Sequence, residues 1–361
     1  MQRALELAAR GLYTTTPNPR VGCVIVRGNI VVGEGFHVAA GEPHAEAVAL
    51  AAAGENARGA TAYVTLEPCN HIGRTPPCAQ TLIEARVARV IGAMEDPNPN
   101  GAGGGFGTLR AAGIEVRNGL MAAEALELNI GFHRRMTTGL PWVRLKVAAS
   151  LDGKTALANG QSQWITGPDA RKDGHHWRAR ACAVLTGIGT VLEDNPQLNV
   201  RDVITSRQPW KVIVDSHLQT PFDARIFDDT VLGAGDAKLL IAAAQDHPER
   251  RAKLEARGAQ VLLLPNAKGK VDLPQLMREL GKREFNEVHV ESGFKLNGSF
   301  LREACVDELL IYFAASIIGD KGQGMFNLSE LQSLKERVKL KLHNVTQVGQ
   351  DLRLMARLAS T

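Results

Sequence analysis

What the chain lacks narrows it first. Its 361 residues hold five cysteines, an odd number without the even, regular spacing of a disulfide-stapled secreted domain. Aromatic residues make up 5%, the formal net charge is +4, and Lys and Arg never gather into a block, so the electrostatic footprint of a nucleic-acid binder is missing. No apolar run approaches the ~20 residues of a membrane-spanning helix, and the opening MQRALELAAR reads as an amphipathic helix rather than a secretion signal. These absences lead us to expect a cytoplasmic protein that engages neither nucleic acid nor membrane. Its modest basic balance suits phosphorylated small molecules, and homo-oligomerisation stays open.

The remaining composition, 44% hydrophobic and 22% charged, is that of a soluble globular protein, and the length is ample for two domains, each with its own core. The strings VGCVIV, TAYVTLE and VARVIGAM read as buried strands between helices beginning near Ala45, Ala79, Leu109 and Ala122. A turn-rich stretch, MTTGLPW, precedes a new strand, VRLKVAAS. We place a domain boundary there, giving 1–139 and 140–361. The second part repeats the alternation: KVIVDS, KLLIAA, QVLLL, EVHVES and DELLIYFAAS as strands, helices near Pro168, Pro248, Leu273 and Asn297, and LHNVTQVGQDLRLMARL as a closing strand pair. Both parts belong to the α/β class.

The chemistry is concentrated in His44, Glu46, Cys69 and Cys78, in the strings PHAEA and EPCNHIGRTPPC. One imidazole and two thiolates are three ligands for a catalytic zinc whose fourth position is kept for water. Glu46 follows His44 too closely to share the metal comfortably, yet can reach that water; it is expected to shuttle the proton to a departing amine. Pro43 favours a helix start at His44, and Cys78 opens a second apolar-periodic helix, where a thiolate is stabilised. A structural zinc with His71 as a fourth ligand is the alternative. Against it, the same loop carries Arg74, suited to an anionic substrate. The other cysteines, Cys23, Cys182 and Cys305, lie in apolar strings and are expected in cores.

Eight residues separate Cys69 from Cys78, whereas base and nucleoside deaminases usually carry a Cys-x-x-Cys pair. The longer loop, with Thr16-Pro17-Asn18-Pro19, Gly41-Glu42-Pro43-His44-Ala45-Glu46 and Asp96-Pro97-Asn98-Pro99, resembles the bifunctional deaminase/reductase family of riboflavin biosynthesis. The resemblance continues through Ala149-Ser150-Leu151-Asp152-Gly153-Lys154, Ser162-Gln163-Trp164-Ile165-Thr166, Asp194-Asn195-Pro196 and Val290-Glu291-Ser292-Gly293. It implies a cytidine-deaminase-like α/β/α domain followed by a dihydrofolate-reductase-like α/β domain, with Zn2+ and NADPH as cofactors. The implied substrate is 2,5-diamino-6-(5-phosphoribosylamino)pyrimidin-4(3H)-one, deaminated and then reduced at its ribosyl group.

For the first site the resemblance adds Asn18, His71 and Arg74 as substrate contacts. In the second it implies cofactor contacts at Ala148, Trp164, Thr190, Asp194 and Ser216, and along Gly293, Phe294, Lys295, Leu296, Asn297, Gly298 and Ser299. Substrate contacts are implied at Ser162, Arg178, Leu198, Arg201 and Glu291. Read from chemistry alone, Arg178 and Arg201 are planar forks suited to a ribose phosphate, and Asp194 or Glu291 could stabilise a cation as hydride arrives. Equally, Arg178 with Arg171 and Arg180 could be a solvated helix face. Lys146, in an apolar strand, needs a partner and joins Asp194 as a candidate catalytic group. Two rival readings, a tRNA or nucleoside deaminase and a zinc-stabilised scaffold, want a basic groove or tolerate loss of Glu46.

Overall fold

The computed structural model describes residues 1–70, 77–99, 104–228 and 238–359, which form two compact units, Met1–Leu140 and Pro141–Thr361. The first is built from α1 (Gln2–Ala9), β1 (Gly22–Arg27), β2 (Ile30–Phe36), α2 (Ala45–Ala53), β3 (Thr61–Val64), α3 (Cys78–Glu84), β4 (Arg89–Gly92), α4 (Gly104–Ala111), β5 (Glu115–Arg117), α5 (Ala122–Leu128) and α6 (Ile130–Thr138). Its sheet runs β2-β1-β3-β4-β5, antiparallel from β2 to β3 and parallel from β3 to β5. Alternation along β1 feeds two cores: Cys23 and Ile25 join Ala45, Ala49, Leu82 and Phe106, while Val24 meets Ala4 and Leu7 of α1. A strand buried on both faces must be apolar throughout, as GCVIV is.

Two residues of β2 fix α2 at unusually short range. A Cβ on Gly33 would stand 2.2 Å from the Ala49 carbonyl oxygen, and one on Gly35 2.4 Å from that of Ala45. The helix therefore lies backbone to backbone on the strand, which no larger residue permits. Those same glycines hide β2 from a reading of strand propensity.

The second unit comprises β6 (Trp142–Ser150), β7 (Lys154–Ala156), α7 (Pro168–Arg180), β8 (Ala183–Gly187), α8 (Ile188–Asp194), β9 (Trp210–Val214), β10 (Leu239–Ala243), α9 (Pro248–Ala256), β11 (Ala259–Leu263), α10 (Leu273–Lys282), β12 (Glu287–Glu291), α11 (Phe294–Arg302), β13 (Glu308–Ala314), β14 (Gln323–Gly324), β15 (Leu340–Val348) and β16 (Asp351–Leu358). Its main sheet runs β11-β10-β9-β8-β12-β6-β13-β16-β15. It is parallel as far as β13, with β16 and β15 antiparallel at one edge. One hydrophobic cluster joins Val184, Ile213, Ile241 and Leu254. Under α7, Ala170 and Trp177 pack with Leu310, Tyr312 and Met355, and beside them Arg144, 1% exposed, is held between Glu287 (3.0 Å) and Glu308 (2.7 Å) and stacks on Trp177.

The structure corrects several sequence boundaries. The helix expected from Leu109 starts at Gly104, and the one expected near Asn297 starts at Phe294. Helix α6 runs through MTT and stops at Gly139, which takes the left-handed conformation (φ 74°) of a helix C-terminus. Strand β8 and helix α8 were not anticipated; a five-residue apolar run directly after a helix carries no period of its own.

Candidate active sites

In the first unit, His44 is the N-terminal cap of α2, Glu46 lies in its first turn, and Cys78 is the first residue of α3. Cys69 sits in the chain after β3, where its sulfur accepts the Cys78 amide at 3.3 Å. His44 Nδ1 stands 3.2 Å from Cys78 Sγ and 3.5 Å from Cys69 Sγ, and the three donor atoms all lie within 4.8 Å of one another. Zinc at about 2.3 Å from sulfur and 2.0 Å from nitrogen, with tetrahedral angles, implies a nitrogen–sulfur edge of about 3.5 Å. The set fits that ion.

Glu46 is 3% exposed; burial, with the Cys69 charge nearby, pushes its carboxyl up to about 7, where a proton carrier works best near neutral pH. Of the two thiols, Cys69 gives up its proton first: the hydrogen bond from Cys78, helped by the His44 ring, pulls it down to about 4. The same bond and burial push Cys78 up. Asn18 Nδ2 is 3.0 Å from His37 Nε2, and His37 Nδ1 is 3.1 Å from the Pro43 carbonyl oxygen. His37 also meets the His44 ring edge-on at 5.4 Å. Sequence reasoning missed His37; its place seven residues before His44 was the available signal. His71 and Arg74 lie outside the described residues.

In the second unit the named residues gather at the C-terminal ends of the parallel strands, where open α/β sheets bind ligands. Glu291 ends β12. Its carboxylate accepts Arg178 Nε at 2.5 Å and Nη2 at 2.9 Å, with Lys146 Nζ 3.9 Å and His289 Nε2 3.3 Å away. Burial alone would raise this carboxyl, yet the Arg178 fork and Lys146 hold it well below the usual range, while burial lowers Lys146. Arg178 also donates to the Asn199 carbonyl at 3.0 Å, so the solvated-face reading fails for it. Arg201 Nη1 donates to Asn199 Oδ1 at 2.7 Å, and its backbone amide to His175 Nδ1 at 3.3 Å.

The remaining residues divide. Ala148 lies on β6, Ser162 and Trp164 in the loop before α7, Thr190 and Asp194 on α8, and Ser216 just past β9. Asp194 is exposed and accepts Gln163 Nε2 at 2.8 Å; the charged cluster forms around Glu291. The Leu198 side chain is core, 2% exposed. Gly293 caps α11 without a side-chain bond, and Phe294–Ser299 are helical rather than a loop. Asn297 turns away to Ser292 and the Met325 carbonyl, and Gly298 faces the Asn327 backbone. His289, Asn199 and Gln163 were not singled out from sequence, since their partners are distant in the chain, and Arg171 entered only as part of a solvated helix face.

Comparison with known proteins decides the family. Residues 1–94 match the cytidine and deoxycytidylate deaminase zinc-binding region, and residues 141–354 the RibD C-terminal domain. The chain is 46% identical to the riboflavin biosynthesis protein RibD of Escherichia coli (strain K12) over 98% of its own length and 96% of the relative's. The chain belongs to the RibD family. The RibD of Haemophilus influenzae is 47% identical, over 98% of this chain and 95% of that one. Among solved structures, Acinetobacter baumannii RibD (form 1) superposes with a TM-score of 0.90 at 44% identity, covering 99% and 98% of the two chains. The Thermotoga maritima diaminohydroxyphosphoribosylaminopyrimidine deaminase/5-amino-6-(5-phosphoribosylamino)uracil reductase gives 0.87 at 34%, covering 99% and 97%. As a RibD-family member the chain is a deaminase and a reductase of riboflavin biosynthesis, with Zn2+ and NADPH as cofactors. A cytidine-deaminase-like fold precedes a dihydrofolate-reductase-like one.

Proposed function

We propose that the unit Met1–Leu140 deaminates 2,5-diamino-6-(5-phosphoribosylamino)pyrimidin-4(3H)-one and that Pro141–Thr361 reduces the deaminated product's ribosyl group to ribityl. The observation that carries the first half is the His44, Cys69 and Cys78 triad beside a buried Glu46. These three residues hold the zinc. When bound, zinc supplies the Lewis acidity that makes a water nucleophilic near neutral pH. Glu46, poised near pH 7, takes the proton of the attacking water and carries it to the amine leaving the pyrimidine. Asn18, oriented by His37, presents its amide to the substrate.

In the second unit the N-termini of α8 and α11 both open at glycines, Gly187 and Gly293, with no side-chain cap. The turns abut: a Cβ on Gly187 would meet Leu296 Cδ2 at 3.0 Å. Uncapped amides on adjoining turns fit the diphosphate of a dinucleotide, and Ala148, Trp164, Thr190, Asp194 and Ser216 surround it. NADPH, when bound, supplies the hydride. Glu291, held ionised by Arg178 and Lys146, faces the positive charge that develops on the ribosyl carbon. Arg201 takes the phosphate, Ser162 and the Leu198 backbone flank it, and Lys146 is the proton donor within reach of Glu291.

The same reading has the protein working in the cytoplasm on phosphorylated small molecules, apart from nucleic acid and membrane. None of its five cysteines is in a disulfide, and among the described residues no helix is long and apolar enough to cross a membrane. A coupled assay with the diamino substrate tests the sequence of steps. Ammonia release should precede the fall in NADPH absorbance, and NADPH loss without prior ammonia would overturn the order.

A further inference from the structure

We propose that Arg171 is a positioning residue of the reductase, whose guanidinium holds the Trp164 indole as a fixed stacking surface for a planar ring of the dinucleotide. This rests on the assignment of Trp164 to cofactor binding made above.

Trp164 is 71% exposed, unusual for the largest apolar side chain. The Arg171 guanidinium carbon lies 4.8 Å from its ring centroid, within cation–π range. The same side chain donates through Nη1 to the Thr166 carbonyl oxygen at 2.7 Å, so one fork grips both the indole and the backbone two residues beyond it. From the other side, Gln163 Nε2 donates to Asp194 Oδ1 at 2.8 Å, tethering the residue before Trp164 to α8. The loop is thus pinned to α7 through Arg171 and to α8 through Gln163. With one ring face on the guanidinium, the exposed area belongs to the other face.

A ring fixed before binding spares the entropy of ordering it afterwards. Arginine offers a planar, permanently charged group that stacks and hydrogen-bonds at once, whereas lysine is a point charge. The chemistry recognised is a flat ring of the dinucleotide, and Arg171 acts on it solely through Trp164.

The test uses the full-length, zinc-loaded protein, titrated with NADPH in the absence of substrate and followed by quenching of tryptophan emission. Arg171→Ala should raise the NADPH Kd by roughly three- to ten-fold, the cost of ordering one released side chain on binding, and raise KM for NADPH while leaving kcat at saturating NADPH in place. Arg171→Lys should recover only part of the loss. Because the two side chains act as one unit, the double variant Trp164→Ala/Arg171→Ala should bind no more weakly than Trp164→Ala alone. A parental Kd in Arg171→Ala, or full additivity in the double variant, overturns the proposal. A parental Kd in Trp164→Ala instead sinks the assignment of Trp164. Circular dichroism and thermal unfolding of the variants check folding of the unit that carries Arg171, and if Arg171→Ala does not accumulate, Arg171→Lys and its cycle with Trp164→Ala decide the matter.

Discussion

Glu46 shows how a single side chain is tuned by its burial. Its carboxyl is raised from 4.5 to about 7, chiefly by loss of water, so the folded state prefers it protonated. Stability from this group is complete below its unfolded value and is lost as pH rises through about 7. In metal-free protein, Glu46→Gln should therefore raise the melting temperature at pH 8, by the equivalent of at most about 3 kcal/mol, and leave it unchanged at pH 4.5. Zinc content of the metal-loaded variant should match the parent while ammonia release disappears. An unchanged melting temperature at pH 8, or retained ammonia release, would count against the assigned role. His44, Glu46, Cys69 and Cys78 could be read from sequence because their spacing is local. His37 could not, since its value lies in contacts with Asn18, the Pro43 carbonyl and the His44 ring.

At the scale of elements, β2 sets the height of α2 and with it the position of Glu46. Gly35→Ala would drive a methyl into the Ala45 carbonyl at 2.4 Å, a backbone atom that cannot swing aside. We expect a loss of about 2 kcal/mol or more and a fall in deaminase kcat, with NADPH binding untouched; thermal unfolding and the ammonia assay check both. Helix α7 makes a second prediction. Burial, then the Arg178 and Arg201 charges, lowers His175 from 6.5 to about 4. The unfolded chain takes up that proton first as pH falls, so stability present above 6.5 is lost between about 6.5 and 4 and is then level. His175→Asn should flatten that part of the stability–pH curve; an unaltered slope there would refute it. Periodicity announced the longer helices and most parallel strands. It missed β2, whose glycines serve packing, and β8 with α8, which follow one another without turn residues.

For the whole molecule, the two activities have separable requirements. Removing zinc with a chelator should halt ammonia release, and with it NADPH oxidation when the diamino compound is supplied. NADPH oxidation should persist when the deaminated intermediate is given directly. Loss of NADPH oxidation on the intermediate would tie the reductase to the metal. The presence of an α/β chain with a deaminase site was evident from residue pattern; the assignment of Arg178 was not. Three-dimensional pairing shows its fork spent on Glu291 and the Asn199 carbonyl, which leaves Arg201 the freer cation for a phosphate.

The buried pairs beneath α7 carry one more implication. Arg144 and Lys146 stand two residues apart on β6, opposite His289 and Glu291 on β12, so the clamp at one end and the Glu291 carboxylate at the other share the same two strands and the same pleat. Replacing Arg144 would leave Glu287 to Arg180 (2.7 Å) and Glu308 to Arg357 (3.4 Å), each acid one partner short in a dry place. The loss would fall on β6 and β12, the strands that also carry Lys146 and Glu291, so a residue set back from the proposed site would still weigh on the arrangement of its charges.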